Sequence, residues 1–146
     1  MKKILLASVM ALIAVFVVNA RDIISRNMAD LPATAQNTLK QNFKSGISVI
    51  RIDKDLLGVS EYEVILKDGT DLTFDRDGVW QEVEMAMGKR VPDSMVPKAI
   101  LNFIKVNNKG RKIIGIEKNR KSYEVQLDNG VELKFDRAGN FLRYDN

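Results

Sequence analysis

The chain has 146 residues, 45% hydrophobic and 29% charged, with a formal net charge of +4 and neither histidine nor cysteine. The length suits one domain, or two very small ones sharing a core. The two missing residue types remove the commonest general base, the thiol nucleophile, thiolate metal ligands and any disulfide.

The first segment has the three parts of a secretory leader. Lys2 and Lys3 form a basic start, residues 4–18 form an apolar run, and Val18-Asn19-Ala20 offers a cleavage site. A membrane anchor needs roughly 20 apolar residues, and here Asn19, Arg21 and Asp22 close the run sooner. The pattern predicts a signal peptide over 1–20 with cleavage after Ala20. No cysteine follows to carry a lipid, so the mature chain is expected in the periplasm or secreted, without stable membrane insertion. Loss of Lys2 and Lys3 lowers the formal charge to +2, too small an excess to suggest a nucleic-acid partner.

Beyond the leader, helical spacing comes first. Ala35, Leu39 and Phe43 fall four apart within 32–44, with Asp30 as the expected cap and Pro32 in the first turn. A β-branched run at 47–52 predicts an opening strand. Tyr62, Val64 and Leu66 then alternate with polar neighbours, Asp68-Gly69 marks a hairpin turn, and Leu72 and Phe74 resume the apolar face. Asp75-Arg76-Asp77-Gly78 reverses the chain again, before a closing strand at 79–83.

The whole series then recurs. YEVILKDGTDLTFDRDG at 62–78 and YEVQLDNGVELKFDRAG at 123–139 are identical at ten of seventeen positions. Leu31-Pro32 and Val91-Pro92 lead the two copies. In the second, Asp93 or Ser94 is the expected cap and Met95, Ala99, Ile100, Phe103 and Ile104 form the stripe. Strands are predicted at 113–117, through Tyr123, Val125 and Leu127, through Leu133 and Phe135, and at 140–144. The expected organisation is repeat 1 over 31–83, a linker over 84–90 and repeat 2 over 91–144. Each copy is a helix followed by four antiparallel strands, an α+β unit. Such units are marginal alone, so the two are expected to form one larger sheet with both helices on one face.

The leading Leu-Pro or Val-Pro, the YEV strand, the Gly turn and the FDR turn, seen twice at this spacing, resemble the PepSY-like family. These are small exported bacterial domains related in shape to the β-lactamase inhibitor protein. The resemblance implies tandem copies making one curved antiparallel sheet packed on helices. It also implies a non-catalytic binding module for an envelope protein or peptide, with inhibition of a hydrolase or peptidase as the family-level conjecture.

The candidate site residues divide by chemistry. Trp80 and Phe141 follow the two repeated glycines and Tyr144 adds a third ring, as core packing or as anchors for a partner. Arg76 and Arg137 sit in the FDR turns, solvated or on a binding rim. Glu124, Gln126, Glu132, Lys134 and Arg137 form the outward set of the second copy. Asp75, Asp77 and Gly78 resemble a fragment of a calcium loop, but Val79-Trp80-Gln81 does not continue it, and a turn is the better reading. The sequence therefore predicts no catalytic residues, no cofactor and no metal site. It favours a non-enzymatic protein-binding or peptide-binding module, with a small-ligand or calcium-binding envelope protein as the alternative.

Overall fold

The computed structural model describes residues 22–145, so the leader expected at 1–20 lies outside the described residues. Among the described residues the fold is mixed α+β, with two helices and nine antiparallel strands that follow one another in chain order. The chain divides into two compact units, whose described parts are residues 22–81 and 82–145.

The N-terminal unit contains β1 (Ile23–Ser25), α1 (Ala33–Asn42), β2 (Ile47–Asp55), β3 (Gly58–Leu66) and β4 (Asp71–Asp75), followed by the start of β5 (Trp80–Glu84). The C-terminal unit takes the rest of β5, then α2 (Lys98–Asn107), β6 (Ile113–Lys118), β7 (Ser122–Leu127), β8 (Glu132–Asp136) and β9 (Phe141–Asp145). The YEV strand and its successor pair in the same register in both units. Tyr62 lies opposite Phe74 and Val64 opposite Leu72, as Tyr123 lies opposite Phe135 and Val125 opposite Leu133.

Alternation decides which face is covered. Ile50, Val64, Leu72 and Phe74 are buried with Ala35 and Leu39 of α1. Val83, Ile116, Val125, Leu133 and Phe135 are buried with Ile100 and Ile104 of α2. Intervening strand positions carry most of the charge, as period-two patterning requires. Gln126 departs from this. Expected in the outward set, it is 3% exposed. It pairs with Gly115 on β6, and its Oε1 lies 3.8 Å from where a side chain on Gly115 would begin. The missing side chain leaves room for the glutamine to lie down on the sheet.

Both helices start later than their expected caps. Asp30 belongs to a short 3-10 turn, Met28–Asp30, and Asp93 and Ser94 to another, Asp93–Met95. Pro32 and Pro97 occupy the N-cap positions, and no side chain caps either helix. The cause is steric. A proline drives the preceding residue out of helical geometry, and Leu31 (ψ 149°) and Val96 (ψ 129°) are both extended. Strand β1 was not anticipated, because Ile23 and Ile24 adjoin the leader and have no polar alternation.

Four hairpins share one loop design. Leu66 to Thr70, Asp75 to Val79, Leu127 to Val131 and Asp136 to Asn140 are each closed by a backbone N–H···O=C bond of 2.9 Å, around three residues ending in glycine. Two of these glycines also meet a helix. A Cβ on Gly78 would stand 2.7 Å from Pro32 Cβ and 3.0 Å from the Ala35 nitrogen. One on Gly139 would stand 2.8 Å from Ala99 Cβ. Gly69 has a comparable φ of +96° and open space around it. The pair separates conformational strain from collision. Gly69→Ala is expected to cost about 1–2 kcal/mol, the left-handed penalty alone. Gly78→Ala should cost about 1–3 kcal/mol more, because overpacking is added. Urea unfolding of the two variants measures the difference, and equal losses would refute the close-approach argument.

Candidate functional site

The C-terminal unit gathers the aromatic residues singled out from sequence. Phe135 on β8 is buried, and Phe103 projects from α2 to meet its ring edge-on at 5.5 Å. Phe141, at the start of β9, stacks on Phe103 at 4.4 Å with 15° between planes. Tyr144 then meets Phe141 at 5.0 Å and 61°. The ladder runs outward from core to solvent, and Tyr144 is 47% exposed. A register shift beside Phe135 brings Phe141 opposite Phe135 and Tyr144 opposite Leu133, so two rings three positions apart lie on one side. Leu142, within that irregularity, is 51% exposed.

β9 is the last strand in the order, so one side of its backbone is a sheet edge. Arg143 and Asp145 on this strand pair with each other at 2.7 Å, which leaves the edge close to neutral. Among the described residues, apolar side chains, an unpaired backbone edge and low net charge therefore coincide along five residues.

The two repeated arginines have different surroundings. Arg137 lies over the Tyr123 ring, 4.8 Å from its centroid, and donates to the Asn119 carbonyl at 3.1 Å. Its guanidinium is thus held by a ring and a carbonyl within its own unit. Arg76 is exposed in the equivalent turn. Trp80, half-buried at the start of β5, also belongs to the N-terminal unit. Of the five residues predicted, Phe141 and Tyr144 are in direct contact, Arg137 is in the same unit, and Trp80 and Arg76 are in the other.

The acidic turns are built for backbone work. Asp75 Oδ1 accepts from the Asp77 and Val79 amides at 2.9 and 3.0 Å, and Gln81 Nε2 reaches its other oxygen at 3.4 Å. Asp136 Oδ1 accepts from the Asn140 amide at 2.9 Å, and Asn140 Nδ2 donates to Oδ2 at 3.1 Å. Among the described residues no three acidic side chains converge as metal ligands.

Two exposed features escaped the sequence reading. Leu56 and Leu57 form the tip of the β2–β3 hairpin, 87% and 86% exposed. The signal was present, since neither leucine favours a turn, but the strand had been expected to end at Ile52. The other is a cleft beside the end of α2, lined in part by the loop that follows it.

The architecture defines a class of small α+β domains with antiparallel sheets. The PepSY-like family, described as "Putative beta-lactamase-inhibitor-like, PepSY-like", matches residues 60–143, and the chain belongs to it. Two solved structures from Bacteroides vulgatus ATCC 8482 are similar. One, a putative periplasmic protein of unknown function, is 37% identical, with a TM-score of 0.80 over 86% of this chain and 99% of that one. The other, a putative periplasmic protein of the DUF2874 family, is 34% identical, with a TM-score of 0.79 over 87% and 98%. A putative calcium-regulated periplasmic protein from Bacteroides thetaiotaomicron is 35% identical, with a TM-score of 0.78 over 86% and 97%. No curated protein matches the chain.

The Asp136 contacts have a pH consequence. Hydrogen bonds from the Asn140 backbone and then its side chain hold the Asp136 carboxyl below the usual carboxylate range. A depressed folded-state pKa gives stabilisation that is complete above about pH 4 and lost as pH falls through the folded value. Asp136→Asn should therefore be less stable than wild type at about pH 7, with the gap narrowing as pH falls below about 4. Urea midpoints across this range check this, and a constant gap would contradict it.

Proposed function

We propose that the chain is an exported, periplasmic, non-catalytic binding module that takes a protein or peptide partner along β9. The observation that carries this reading is an edge strand presenting Leu142 and Tyr144 about half exposed beside a stacked aromatic ladder. An extended segment can add to such an edge, taking affinity from main-chain hydrogen bonds and specificity from side-chain contacts. Tyr144 would serve as the anchor, with Phe141 and Phe103 holding its ring in place.

The periplasmic setting is supported by the leader pattern and by the description of the solved relatives. The non-enzymatic reading is supported by the lack of histidine and cysteine. Inhibition of a hydrolase is the form of binding that the family description suggests. The tandem reading, two helix-plus-four-strand copies, is supported by the repeated passage and its shared register.

Photo-crosslinking from position 142 in an envelope extract, compared with position 40 on the exposed face of α1, tests the edge. The expected result is one adduct formed from position 142 only, reduced about tenfold or more by Tyr144→Ala, as for an interface hot spot. Equal labelling from both positions, or labelling unchanged by Tyr144→Ala, would remove β9 as the site.

A second reading, calcium binding, rests on the calcium-regulated description of one solved relative. It requires the melting temperature to rise with added calcium and fall with chelator, since a ligand that binds only the folded state stabilises it. A melting temperature that responds to neither sinks it.

A further inference from the structure

The C-terminal unit holds a cleft of about 530 Å³ between the end of α2, the loop leading into β6 and the segment before the second 3-10 turn. That volume is within the range of small-molecule sites. Its composition is uneven. Arg90, Lys105, Lys109, Arg111 and Lys112 line it, against one carboxylate, Asp93. The whole chain exceeds neutrality by only four charges, so the clustering is local. Beneath the cations lie Val91, Ile104 and Ile113, all buried, with Leu101 half-buried.

Internal ion pairing does little to neutralise the rim. Arg90 is 3.9 Å from Asp93 and Arg111 is 3.9 Å from Asp128, both at the outer limit of an ion pair. Lys105, Lys109 and Lys112 have no acidic partner among the described residues. Asn108 also lines the cleft, and its Nδ2 is buried without an acceptor. An unmade bond at a buried amide is costly.

The bland explanation is a helix C-terminus dressed with cations to suit its dipole. It accounts for Lys105, in the last turn of α2, but not for the loop. Between α1 and β2 the N-terminal unit uses four residues, Phe43-Lys44-Ser45-Gly46, with one cation. Between α2 and β6 the C-terminal unit uses Asn108-Lys109-Gly110-Arg111-Lys112, with three. The same connection is thus made without the cluster, and three like charges within four residues repel one another.

We infer that this cleft binds a small amphiphilic anion, with its apolar body on Val91, Leu101, Ile104 and Ile113 and its carboxylate or phosphate head at Lys109, Arg111 and Lys112. This site is separate from the β9 edge and stands or falls independently of it.

Isothermal titration of the mature chain with decyl phosphate, below its micelle concentration, tests the proposal. Decanol, inorganic phosphate and phosphatidylglycerol vesicles serve as separate arms. The expected result is saturable binding of decyl phosphate, with decanol and inorganic phosphate each weaker by about tenfold or more, which corresponds to about 1.4 kcal/mol. Lys109→Glu/Lys112→Glu, both exposed positions, should weaken decyl phosphate at least tenfold while leaving the urea midpoint near wild type. Inorganic phosphate binding as tightly as decyl phosphate would overturn the proposal. So would binding to vesicles alone, or a doubly reversed variant that binds unchanged.

Discussion

The structure depends on a turn that has to touch a helix. In each unit the chain leaves the FDR strand, reverses over three residues and puts the last of them against the first turn of the helix. The separations that a Cβ would meet, 2.7 Å at Gly78 and 2.8 Å at Gly139, exclude any side chain without rearrangement. Helix position, the entry angle of the following strand and the covering of the YEV face are all set at that point. Each helix is ten residues long and has no side-chain cap, so tertiary packing supplies stability that local capping does not. The aspartate that opens the turn holds the loop by bonding its amides, which ties the acidic residue to the same requirement.

This explains why the repeated passage combines hydrophobic alternation with fixed Asp and Gly positions. The alternation specifies which side of each strand faces the helix. The Asp-x-x-Gly spacing specifies how closely the next segment approaches. The aromatic ladder Phe135, Phe103, Phe141 and Tyr144 extends the same packing from the interior to the edge, each ring positioned by the one beneath it. A ring so supported loses little conformational freedom on meeting a partner. The exposed ring at the edge is thus held in place by the core it is attached to.

Periodicity was the part of the fold legible from sequence. Tyr62, Val64, Leu66 and their counterparts announced strands, and Gly78 and Gly139 announced turns. What each turn touches was not legible, because a positive φ and a close contact both select glycine, and only the packing of the fold distinguishes Gly69 from Gly78. Gln126 shows a second limit. Its parity placed it outward, correctly for the strand, yet burial depends on the neighbour across the ladder, where Gly115 leaves space. A glycine inside a strand signals such a gap, but not which neighbour fills it. Of the candidate site, the rings at 141 and 144 were visible as residue types. Their contact required the register shift beside Phe135, and the basic cleft required the fold of a loop with no regular period.

The repeated glutamate in YEV shows why a residue shared by both copies need not be a site. Glu63 lies opposite Arg51 on β2, and the pair closes to 2.8 Å. Its counterpart Glu124 lies opposite another glutamate, Glu117, on β6. Two carboxylates facing each other across a ladder are unfavourable, yet Glu124 takes its cation from the other flank, where Lys134 on β8 stands 3.7 Å away. The N-terminal unit has Thr73 at that flank. The counterion has thus changed strands while the glutamate has kept its place. Such exchange is available only when the requirement is a partly buried carboxylate with a cation on either side, which is a demand of the sheet. A binding role would fix the direction of the cation as well. The shared glutamate therefore belongs to the scaffold, and the positions that differ between the units, β9 and the loop after α2 among them, are free to carry function.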